Sequence, residues 1–269
     1  METPRLYDDL AWLWPVLSPP GDYVSEAATI DALLIERLGD GPKRILELGA
    51  GGGHTLVHLV AEGAERSVAC GGWGGEHHGV AVDLSEAMLE RCRALIPGID
   101  ARVGDMRTVR LNGTFDAVLI HDAVDYLRTE ADVRQALQAV REHLAPGGLA
   151  LIAPTYVAET FEAGDMAEDV PEPDAFGRSV FEAHGVAEVS YTTRLSEVEP
   201  DGTFAMTLTY RLAYADARAE THDDVHRCGL FPEASWLAWM AEAGLPAERY
   251  EQGAAGEGGA WTLFVGRPV

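Results

Sequence analysis

The sequence predicts an α/β fold in which helices cover a parallel sheet, and three features predict it. Between Ile45 and Pro154, short apolar runs of strand length alternate with segments of helical periodicity, as in consecutive βαβ units. A glycine-rich turn over residues 49–53 joins the first apolar run to the next helical segment. After Pro154 the pattern changes to period-two alternation, which is typical of antiparallel strands. We therefore expect a parallel α/β core with a small antiparallel sheet inserted into it.

The elements of the core follow in chain order. The predicted strands are Ile45–Leu48, Val80–Val82, Ala101–Val103, Phe115–Ile120 and Leu149–Ile152. The predicted helices are Tyr23–Leu38, His54–Glu62, Ser85–Leu95 and Thr129–Leu144. Ser85 and Thr129 are expected N-caps because a hydroxyl oxygen can accept a hydrogen bond from the first turn. The Pro146-Gly147-Gly148 run is expected to stop the helix before it.

The second half of the chain predicts the insertion and the end of the core. The predicted antiparallel strands are Val186–Arg194, Phe204–Ala215 and Ala219–Arg227, and they are followed by a helix over Pro232–Ala243 and a closing strand over Trp261–Gly266. Asp201-Gly202 is a hairpin turn signal between the first two inserted strands. The expected division is a core of residues 1–155 and 229–269 and an inserted lid of residues 156–228. The aromatic start, Leu6 to Trp14, is expected to pack over another element.

Charge and cysteine content narrow the class of protein. The chain has 269 residues, 47% of them hydrophobic, which is enough to bury a substantial core. Lysine plus arginine number 20 against 44 aspartates plus glutamates, a formal charge of −24, so we expect neither nucleic acid nor an anionic membrane as partner. Cys70, Cys92 and Cys228 are far apart and form no disulfide or zinc pattern. With no secretory signal pattern at the start, a cytoplasmic location is expected.

The segment from Cys70 to His78 is a glycine-rich link into the second core strand. Its two histidines and one cysteine leave a metal site open as an alternative. A surface loop is the favoured interpretation, because neither the ligand spacing of a zinc site nor a fourth ligand is present. No metal is therefore expected.

The stretch Glu47-Leu48-Gly49-Ala50-Gly51-Gly52-Gly53-His54 predicts a ligand site. Glycine permits positive φ and lets a ligand lie against the backbone. The spacing is G-x-G-x-G and departs from the dinucleotide fingerprint, so a nicotinamide cofactor is disfavoured. Asp83 follows the second strand, where a carboxylate can accept from both hydroxyls of a ribose; the alternative is that it only caps the next helix. Asp105 and Met106 follow the third strand and would suit an adenine.

These motifs together resemble the class I S-adenosylmethionine-dependent methyltransferases. They are Glu47-x-Gly49-x-Gly51-x-Gly53, Asp83, Gly104-Asp105-Met106 and Phe115-Asp116-Ala117-Val118. The resemblance implies a Rossmann-like, mostly parallel sheet of seven strands with helices on both faces and an antiparallel last strand. It implies S-adenosyl-L-methionine as cofactor and S-adenosyl-L-homocysteine as product. The cofactor-binding residues it implies are Tyr23, Glu47, Gly49, Ala50, Gly51, Gly53, Asp83, Leu84, Met88, Gly104, Asp105, Met106 and His121.

The amino-terminal segment is similar to that of one group of these enzymes. Tyr7-Asp8-Asp9-Leu10, Gly21-Asp22-Tyr23 and Glu26-Ala27-Ala28 look like the start of the bacterial deoxysugar N,N-dimethyltransferases. Those enzymes and the glycine N-methyltransferase group carry a small antiparallel sheet after the fifth strand, matching the insertion here. The resemblance implies that the inserted sheet roofs the pocket and forms a homodimer contact. It also implies that Tyr23 and Tyr7 reach the methionine end of the cofactor.

Methyl transfer from a sulfonium is an in-line displacement, so the protein must mainly align the acceptor, exclude water and remove a proton where required. The segment after the fourth strand faces the reactive methyl in a sheet of this type, which makes His121, Asp122 and Tyr126 the catalytic candidates. His121 is either a base or a residue whose backbone alone touches the cofactor. Asp122 and Asp125 either attract an ammonium group or are solvated or helix-capping carboxylates. The substrate-binding candidates are Tyr7, Asp125, Tyr126, Tyr210 and His222.

The function predicted is S-adenosylmethionine-dependent methyl transfer to a small molecule, preferably an amine. Two observations favour the amine: the amino-terminal resemblance, and an acidic protein that would attract a cation. An oxygen or carbon acceptor of specialised metabolism is the alternative within this enzyme class. A catalytically silent cofactor-binding protein and a nucleotide-sugar or NAD-binding oxidoreductase are the alternatives from other classes.

Overall fold

A seven-stranded sheet forms the centre of the protein. The computed structural model describes residues 3–60, 77–166, 169, 172–173, 175–250 and 261–269. Within them the strands are β1 (Arg44–Leu48), β2 (His78–Asp83), β3 (Asp100–Val103), β4 (Phe115–His121), β5 (Leu144–Ala153), β6 (Gly164–Asp165), β7 (Val186–Leu195), β8 (Thr203–Tyr214), β9 (Ala219–Gly229), β10 (Ala247–Tyr250) and β11 (Leu263–Gly266). The large sheet has the order β10-β11-β5-β4-β1-β2-β3.

This sheet is parallel except at β11, which runs antiparallel to both of its neighbours. The expectation of a mostly parallel seven-stranded sheet with an antiparallel last strand is confirmed. Strands β1 and β4 occupy the middle of the order, so the carboxyl ends of β1, β2 and β4 meet at one edge. That edge is where an open α/β sheet binds its ligand.

Helices cover both faces of the sheet, which explains the continuous apolar runs of the central strands. The described α-helices are Trp14–Leu17, Val24–Leu38, Leu56–Val60, Glu86–Leu95, Glu130–His143, Ala175–His184 and Glu233–Glu242. Alternate residues of β1 turn to opposite faces: Ile45 packs in one apolar cluster, and Leu46 and Leu48 pack in the other. Burial on both faces selects apolar side chains at every position of such a strand.

Both predicted N-caps are confirmed by the geometry of the helix ends. The hydroxyl of Ser85 accepts from the N–H of Met88, and the hydroxyl of Thr129 accepts from the N–H of Asp132. The helices begin one residue later, at Glu86 and Glu130, as expected when the preceding residue is the cap. The other predicted helices and strands of the core lie close to their predicted bounds in the described parts, except β5. This strand begins at Leu144 instead of Leu149, directly after the helix ends at His143, and it includes the Pro146-Gly147-Gly148 run.

The insertion forms a separate antiparallel sheet in the order β6-β7-β8-β9. Gly202 has φ 80° in the turn between β7 and β8, where the sequence predicted a hairpin. One face of this sheet packs on the amino-terminal segment: Leu6, Leu10 and Leu13 share an apolar cluster with Leu208 and other residues of the inserted strands. The aromatic start therefore covers the inserted sheet, as predicted.

Four described strands and α-helices have no counterpart in the sequence prediction. They are the strands β6 and β10 and the helices Trp14–Leu17 and Ala175–His184. Strand β10 is an edge strand that pairs only with β11, and its half-exposed residues carry no apolar alternation. The segment from Cys70 to Glu76, where the sequence left a metal site open, lies outside the described residues. The two histidines that follow it are described: His77 bonds Asp31 through Nε2 (2.9 Å) and accepts from the N–H of Lys43, while His78 begins β2.

Candidate active site

The glycine loop between β1 and the helix Leu56–Val60 is shaped by close packing. Gly49, Gly51 and Gly53 have φ of 77°, 51° and 78°, a region that L side chains rarely adopt. A Cβ added at Gly49 would lie 2.2 Å from Cβ of Ala123, and one at Gly53 would lie 2.7 Å from Sγ of Cys92. The sequence attributed these glycines to positive φ, which is confirmed, and to ligand approach. In the structure the same positions also let the loop pack on the segment after β4 and on the helix Glu86–Leu95.

Buried polar atoms on and against this loop have no hydrogen-bond partner among the described residues. They are Oε2 of Glu47, Nδ1 of His54 and Nε1 of Trp14. Glu47 is 3% exposed, and burial raises the pKa of its carboxyl to about 8. Because a buried polar atom without a partner is costly, these atoms point to a polar ligand that would satisfy them. The fit is to a ligand with a cationic or hydrogen-bonding group at Glu47.

The carboxylate of Asp83 lies at the end of β2 and ties the loop to the next helix. Its Oδ2 accepts from the N–H of Gly51 and its Oδ1 accepts from the N–H of Ser85, both at 2.8 Å. Burial raises its pKa, although backbone hydrogen bonds oppose the shift. Ser85 takes the capping role, so the cap interpretation of Asp83 is not needed. Leu84 beside it is 66% exposed, an apolar surface at the expected place of an adenine. Met88 lies under Gly51, 1% exposed.

The Gly104-Asp105-Met106 motif follows β3, as predicted. Met106 packs against the core cluster below Gly49. Asp105 is already paired: its carboxylate accepts from Nε, Nη2 and the N–H of Arg107, which lowers its pKa. Arg107 also pairs with Asp132 on the helix Glu130–His143. The sequence did not anticipate this ion pair, and any adenine contact of Asp105 must share the carboxylate with it.

His121 ends β4 with both ring nitrogens next to carboxylates. Its Nε2 lies 2.9 Å from Oε2 of Glu26, and its Nδ1 lies 3.3 Å from Oδ2 of Asp122. Burial lowers its pKa, but the charges of Asp122, Glu26 and Glu47 outweigh burial and raise it to about 9. A histidine that is protonated at neutral pH cannot accept a proton there. The geometry therefore favours the alternative in which the ring bonds locally.

Tyr23 completes this part of the crevice. Its ring meets those of His54 and His121 edge-on, with centroids 5.8 Å away in each case, and its hydroxyl bonds Oγ of Ser18 at 2.7 Å. The resemblance placed Tyr23 at the methionine end of the cofactor. In the structure its ring lies beside His121 at the end of β4 and beside His54, which follows the glycine loop.

The two aspartates after β4 have different environments. Asp122 has φ 54°, which is uncommon outside glycine, and its side chain is half exposed. Its Oδ1 accepts from the hydroxyl of Thr155 at 2.9 Å. Asp125 is 5% exposed, and burial raises its pKa well above the usual value. The alternative in which Asp125 is a solvated carboxylate is therefore wrong, because its side chain is buried in the 3₁₀ turn Ala123–Tyr126. Asp122 alone of the pair is presented to solvent.

Tyr126 and Tyr7 meet at this turn. Their hydroxyls lie 2.7 Å apart, and the hydroxyl of Tyr126 also lies 2.6 Å from Nδ1 of His226 on β9. The main-chain oxygen of Tyr7 accepts a hydrogen bond from Oγ of Ser85, which connects the amino-terminal segment to the start of the helix Glu86–Leu95. These contacts bring together three parts of the chain that are far apart in sequence.

The two lid residues predicted to bind substrate lie on β8 and β9. The hydroxyl of Tyr210 is buried without a hydrogen-bond partner among the described residues. Tyr210 is fully buried in the apolar cluster between β8 and the amino-terminal segment. His222 bonds Nη1 of Arg5 at 3.0 Å and lies near Glu220. The predicted alternation along β9 is correct, since His222 and Asp224 share one face while Asp223 and Val225 are exposed on the other. His226, further along the buried face, is the residue that reaches Tyr126.

Sequence reasoning missed the roles of Glu26, Trp14 and Asp224. Glu26 pairs with His121, Trp14 lies against the Gly52 backbone, and Asp224 accepts from the N–H groups of Arg5 and Leu6. No spacing signal marks these residues, because each acts through a partner elsewhere in the chain. The alternation of β9 was the one signal that placed Asp224 on an inward face.

The crevice as a whole carries negative charge. The carboxyl groups of Glu26, Glu47 and Asp122 lie around the imidazole of His121. Burial, together with the charges of Asp122 and Asp83, raises the pKa of Glu47. A cationic sulfonium ligand fits such a site better than a phosphate does. Within the described residues no group of three metal-ligating side chains is present, and no helix there is long and apolar enough to cross a membrane.

Comparisons with known proteins agree with this geometry. A family model described as a methyltransferase domain matches residues 45–148. The dTDP-3-amino-3,4,6-trideoxy-alpha-D-glucopyranose N,N-dimethyltransferase of Streptomyces venezuelae is 32% identical over 92% of this chain and 92% of its own. The crystal structure of Streptomyces venezuelae DesVI, 28% identical, superposes with a TM-score of 0.72 over 97% of this chain and 96% of that one. The structure of S-adenosylmethionine-bound CalS10, an amino pentose methyltransferase from Micromonospora echinaspora, is 26% identical with a TM-score of 0.69 over 92% of each chain.

The matches extend over the core and the inserted sheet alike, and the motifs that carry the resemblance lie at one edge of the sheet around a crevice suited to a cationic cofactor. The chain therefore belongs to the class I S-adenosylmethionine-dependent methyltransferases, in the group that contains the amino-deoxysugar N,N-dimethyltransferases.

Proposed function

We propose that this methyltransferase transfers methyl groups to the amino group of a nucleotide-linked amino deoxysugar. The observation that carries the proposal is the similarity to a dTDP-amino-deoxysugar N,N-dimethyltransferase, which spans 92% of both chains and so includes the lid. The carboxylates around the crevice support an amine, because an ammonium group is attracted to the place where Asp122 is presented.

The cofactor would lie along the glycine loop. We assign Asp83 to the ribose hydroxyls, Leu84 and Met106 to the adenine with Asp105, and Glu47 with Tyr23 to the methionine end. Gly49, Ala50, Gly51, Gly53, Met88 and Gly104 would shape the cradle. S-adenosylmethionine supplies an electrophilic methyl on a sulfonium, and its positive charge suits the surplus of carboxylates.

The acceptor would approach from the lid side, past Asp122. We propose that residues 156–228 close over it as a lid, with Tyr7 and Tyr126 beside the reacting amine. In this arrangement the carboxylate of Asp122 binds the ammonium form, while the buried tyrosines exclude water. We assign His121 a positioning role: its charge would be neutralised by Glu26 and Asp122, and its ring would hold Tyr23 in place.

The test offers the purified protein a dTDP-amino deoxysugar and S-adenosylmethionine, and follows methylation of the sugar by mass spectrometry. Products with one and then two added methyl groups are expected. The matched control is the same nucleotide sugar with a hydroxyl in place of the amine, which should not react. Methylation of the hydroxyl compound would instead establish an O-methyltransferase, and cofactor binding without any turnover would indicate a silent binding protein.

We also propose a homodimer in the cytoplasm. Exposed apolar side chains on the lid, Met166 (54% exposed) and Val225 (49% exposed), support a contact there. The amino-terminal segment of the same chain covers one face of the inserted sheet, so the contact would use the opposite face. The free thiols of Cys92 and Cys228 are in keeping with a reducing compartment. Light scattering that gives a monomer mass at every concentration would contradict the dimer.

A further inference from the structure

A continuous chain of hydrogen bonds connects the lid to the crevice. Oδ2 of Asp224 lies 3.0 Å from Nε2 of His226. Nδ1 of His226 lies 2.6 Å from the hydroxyl of Tyr126, which lies 2.7 Å from the hydroxyl of Tyr7. His226 is 0% exposed and Asp224 is 4% exposed, while the two tyrosines are half-buried. Buried polar groups in a line of this kind are fully satisfied only when all of them are present.

The position of each hydrogen in the chain follows from Asp224. Burial raises the pKa of Asp224, but hydrogen bonds from His226 and from the N–H groups of Leu6 and Arg5 outweigh burial and hold the pKa below its usual value. The carboxylate is therefore ionised and can only accept, so Nε2 of His226 carries a hydrogen. In the neutral ring Nδ1 is then the acceptor, and Tyr126 must donate to it.

The same logic fixes the far end of the chain. Because Tyr126 donates to His226, its oxygen accepts from the hydroxyl of Tyr7. The oxygen of Tyr7 ends the chain with lone pairs that can accept a further hydrogen bond. This end is near the glycine loop and Asp83: Ser85 donates to the main-chain oxygen of Tyr7, and the ring of Tyr7 meets that of Trp14, which lies against Gly52. The chain thus presents a proton acceptor between the residues assigned to the ribose and to the ammonium group.

We propose that Tyr7, Tyr126, His226 and Asp224 form a relay that removes the proton from the bound acceptor amine. The inference rests on the proposed amine acceptor and deepens it. An N–H bond of the ammonium breaks and leaves its electron pair on nitrogen, and the proton passes to the oxygen of Tyr7. Tyr7 gives its own proton to Tyr126, and Tyr126 gives its own to Nδ1 of His226. The positive charge ends on the imidazolium, beside the carboxylate of Asp224.

Such a relay has a specific use when two methyl groups are added in turn. The nitrogen that attacks must be neutral, and after the first transfer it again carries a proton that blocks a second attack. His121 cannot take that proton at neutral pH, because its pKa is raised to about 9. The chain holds one proton at a time, so this proton must return along the same chain to Tyr7 and to solvent between the two transfers, while the spent cofactor is exchanged.

The experiment measures single-turnover methyl transfer by the intact protein as a function of pH. His226→Gln keeps an oxygen that can accept from Tyr126 and an N–H that can donate to Asp224, but it cannot hold a proton. We expect this variant to be about 100-fold slower than the wild type at neutral pH. The difference should disappear as the pH passes the acceptor's own pKa, about 10.4 for an alkyl amine, because the amine is then neutral without help.

A second variant and a control separate the relay from a structural role. Tyr126→Phe breaks the chain in the middle and leaves the His226–Asp224 pair intact, so it should show the same pH-dependent defect. The control is His143→Gln: His143 is also buried with both ring nitrogens bonded, but it is the last residue of the helix Glu130–His143 and bonds Ala139 and Leu111. This control should have the wild-type rate at every pH.

The outcomes are distinct. The titratable groups that face the chain are Arg5 and Tyr210 near Asp224, Asp125 and Cys228 near Tyr126, and Asp83, Asp122 and Tyr210 near Tyr7. All of them are present in the wild type and in both variants. A defect that shrinks with rising pH supports the relay. Equal slowing at all pH values, or no slowing, overturns the relay while the amine function stands. If the wild type methylates no amine at any pH, both the proposed function and the relay are overturned.

Discussion

The carboxylate of Asp83 offers a quantitative test of the cofactor site. An ionised carboxylate has about four lone-pair sites, and the structure uses two of them for the N–H groups of Gly51 and Ser85, each at 2.8 Å. The remaining sites are free for the two ribose hydroxyls. In Asp83→Asn one oxygen becomes an NH₂ group, which must face either a backbone N–H or a ribose hydroxyl. The substitution therefore has two effects that can be measured separately.

The first effect is on cofactor affinity. Loss of a charged acceptor for the ribose hydroxyls should cost about 1.5–3 kcal/mol, equivalent to roughly 10- to 150-fold weaker binding. The second effect is on stability, because one backbone N–H of the loop loses its acceptor at a cost of about 1–3 kcal/mol. That loss should lower the midpoint of thermal unfolding by about 2–4 °C for each kcal/mol. Gly51 is part of this second effect, because its N–H donates to the Asp83 carboxylate and holds the glycine loop in place.

Calorimetric titration with S-adenosylhomocysteine, which is not turned over, measures the first effect, and thermal unfolding without ligand measures the second. The control is Asp100→Asn. Asp100 is an exposed residue at the start of β3, at the opposite end of the β2–β3 pair from Asp83, and its carboxylate bonds Arg102. The control should change neither quantity. A folded Asp83→Asn variant that binds S-adenosylhomocysteine as tightly as the wild type would refute the assignment of the ribose to Asp83.

Three further predictions concern the loop and the groups around it. The pKa of Glu47 is raised to about 8, so its carboxyl is mostly protonated at neutral pH, and a cationic cofactor beside it should expel that proton. Glu47→Gln should abolish this proton release, which titration calorimetry in buffers of different ionisation enthalpy measures. The pKa of His121 is raised to about 9, so its ion pairs contribute stability that is fully present below about pH 6.5 and is lost as pH rises through about 9. The loss of unfolding free energy caused by His121→Asn should therefore shrink over that range in denaturant titrations. Gly49→Ala places a side chain at a positive φ and also makes it clash with Ala123, so it should lower the free energy of unfolding by several kcal/mol. Gly98 also has a positive φ but faces open space, so Gly98→Ala should lower it by only about 1–2 kcal/mol. Equal losses in the two alanine variants would show that the clash is relieved by movement.

The sequence predicted the fold most reliably where the pattern is local. The βαβ rhythm, the caps at Ser85 and Thr129 and the hairpin at Gly202 were all predicted, because each depends on residues two to four positions apart. Strand β10 was missed because it is a short edge strand, stabilised by its partner β11 more than by its own residues. The helix Ala175–His184 was missed for a similar reason, because it is stabilised by the packing of Phe181 on the strands of the inserted sheet.

The site divides in the same way. The sequence by itself determined the glycine loop, Asp83 at the end of β2 and the position of the crevice, because the carboxyl ends of parallel strands meet at one edge. Only the tertiary structure decided that Asp125 is buried, that His121 is held by Glu26, and that Tyr126 meets His226, 100 residues further along the chain. Periodicity fixes which face a side chain takes, but the partner on that face depends on how separate elements pack, and a single sequence does not encode that choice in any local spacing.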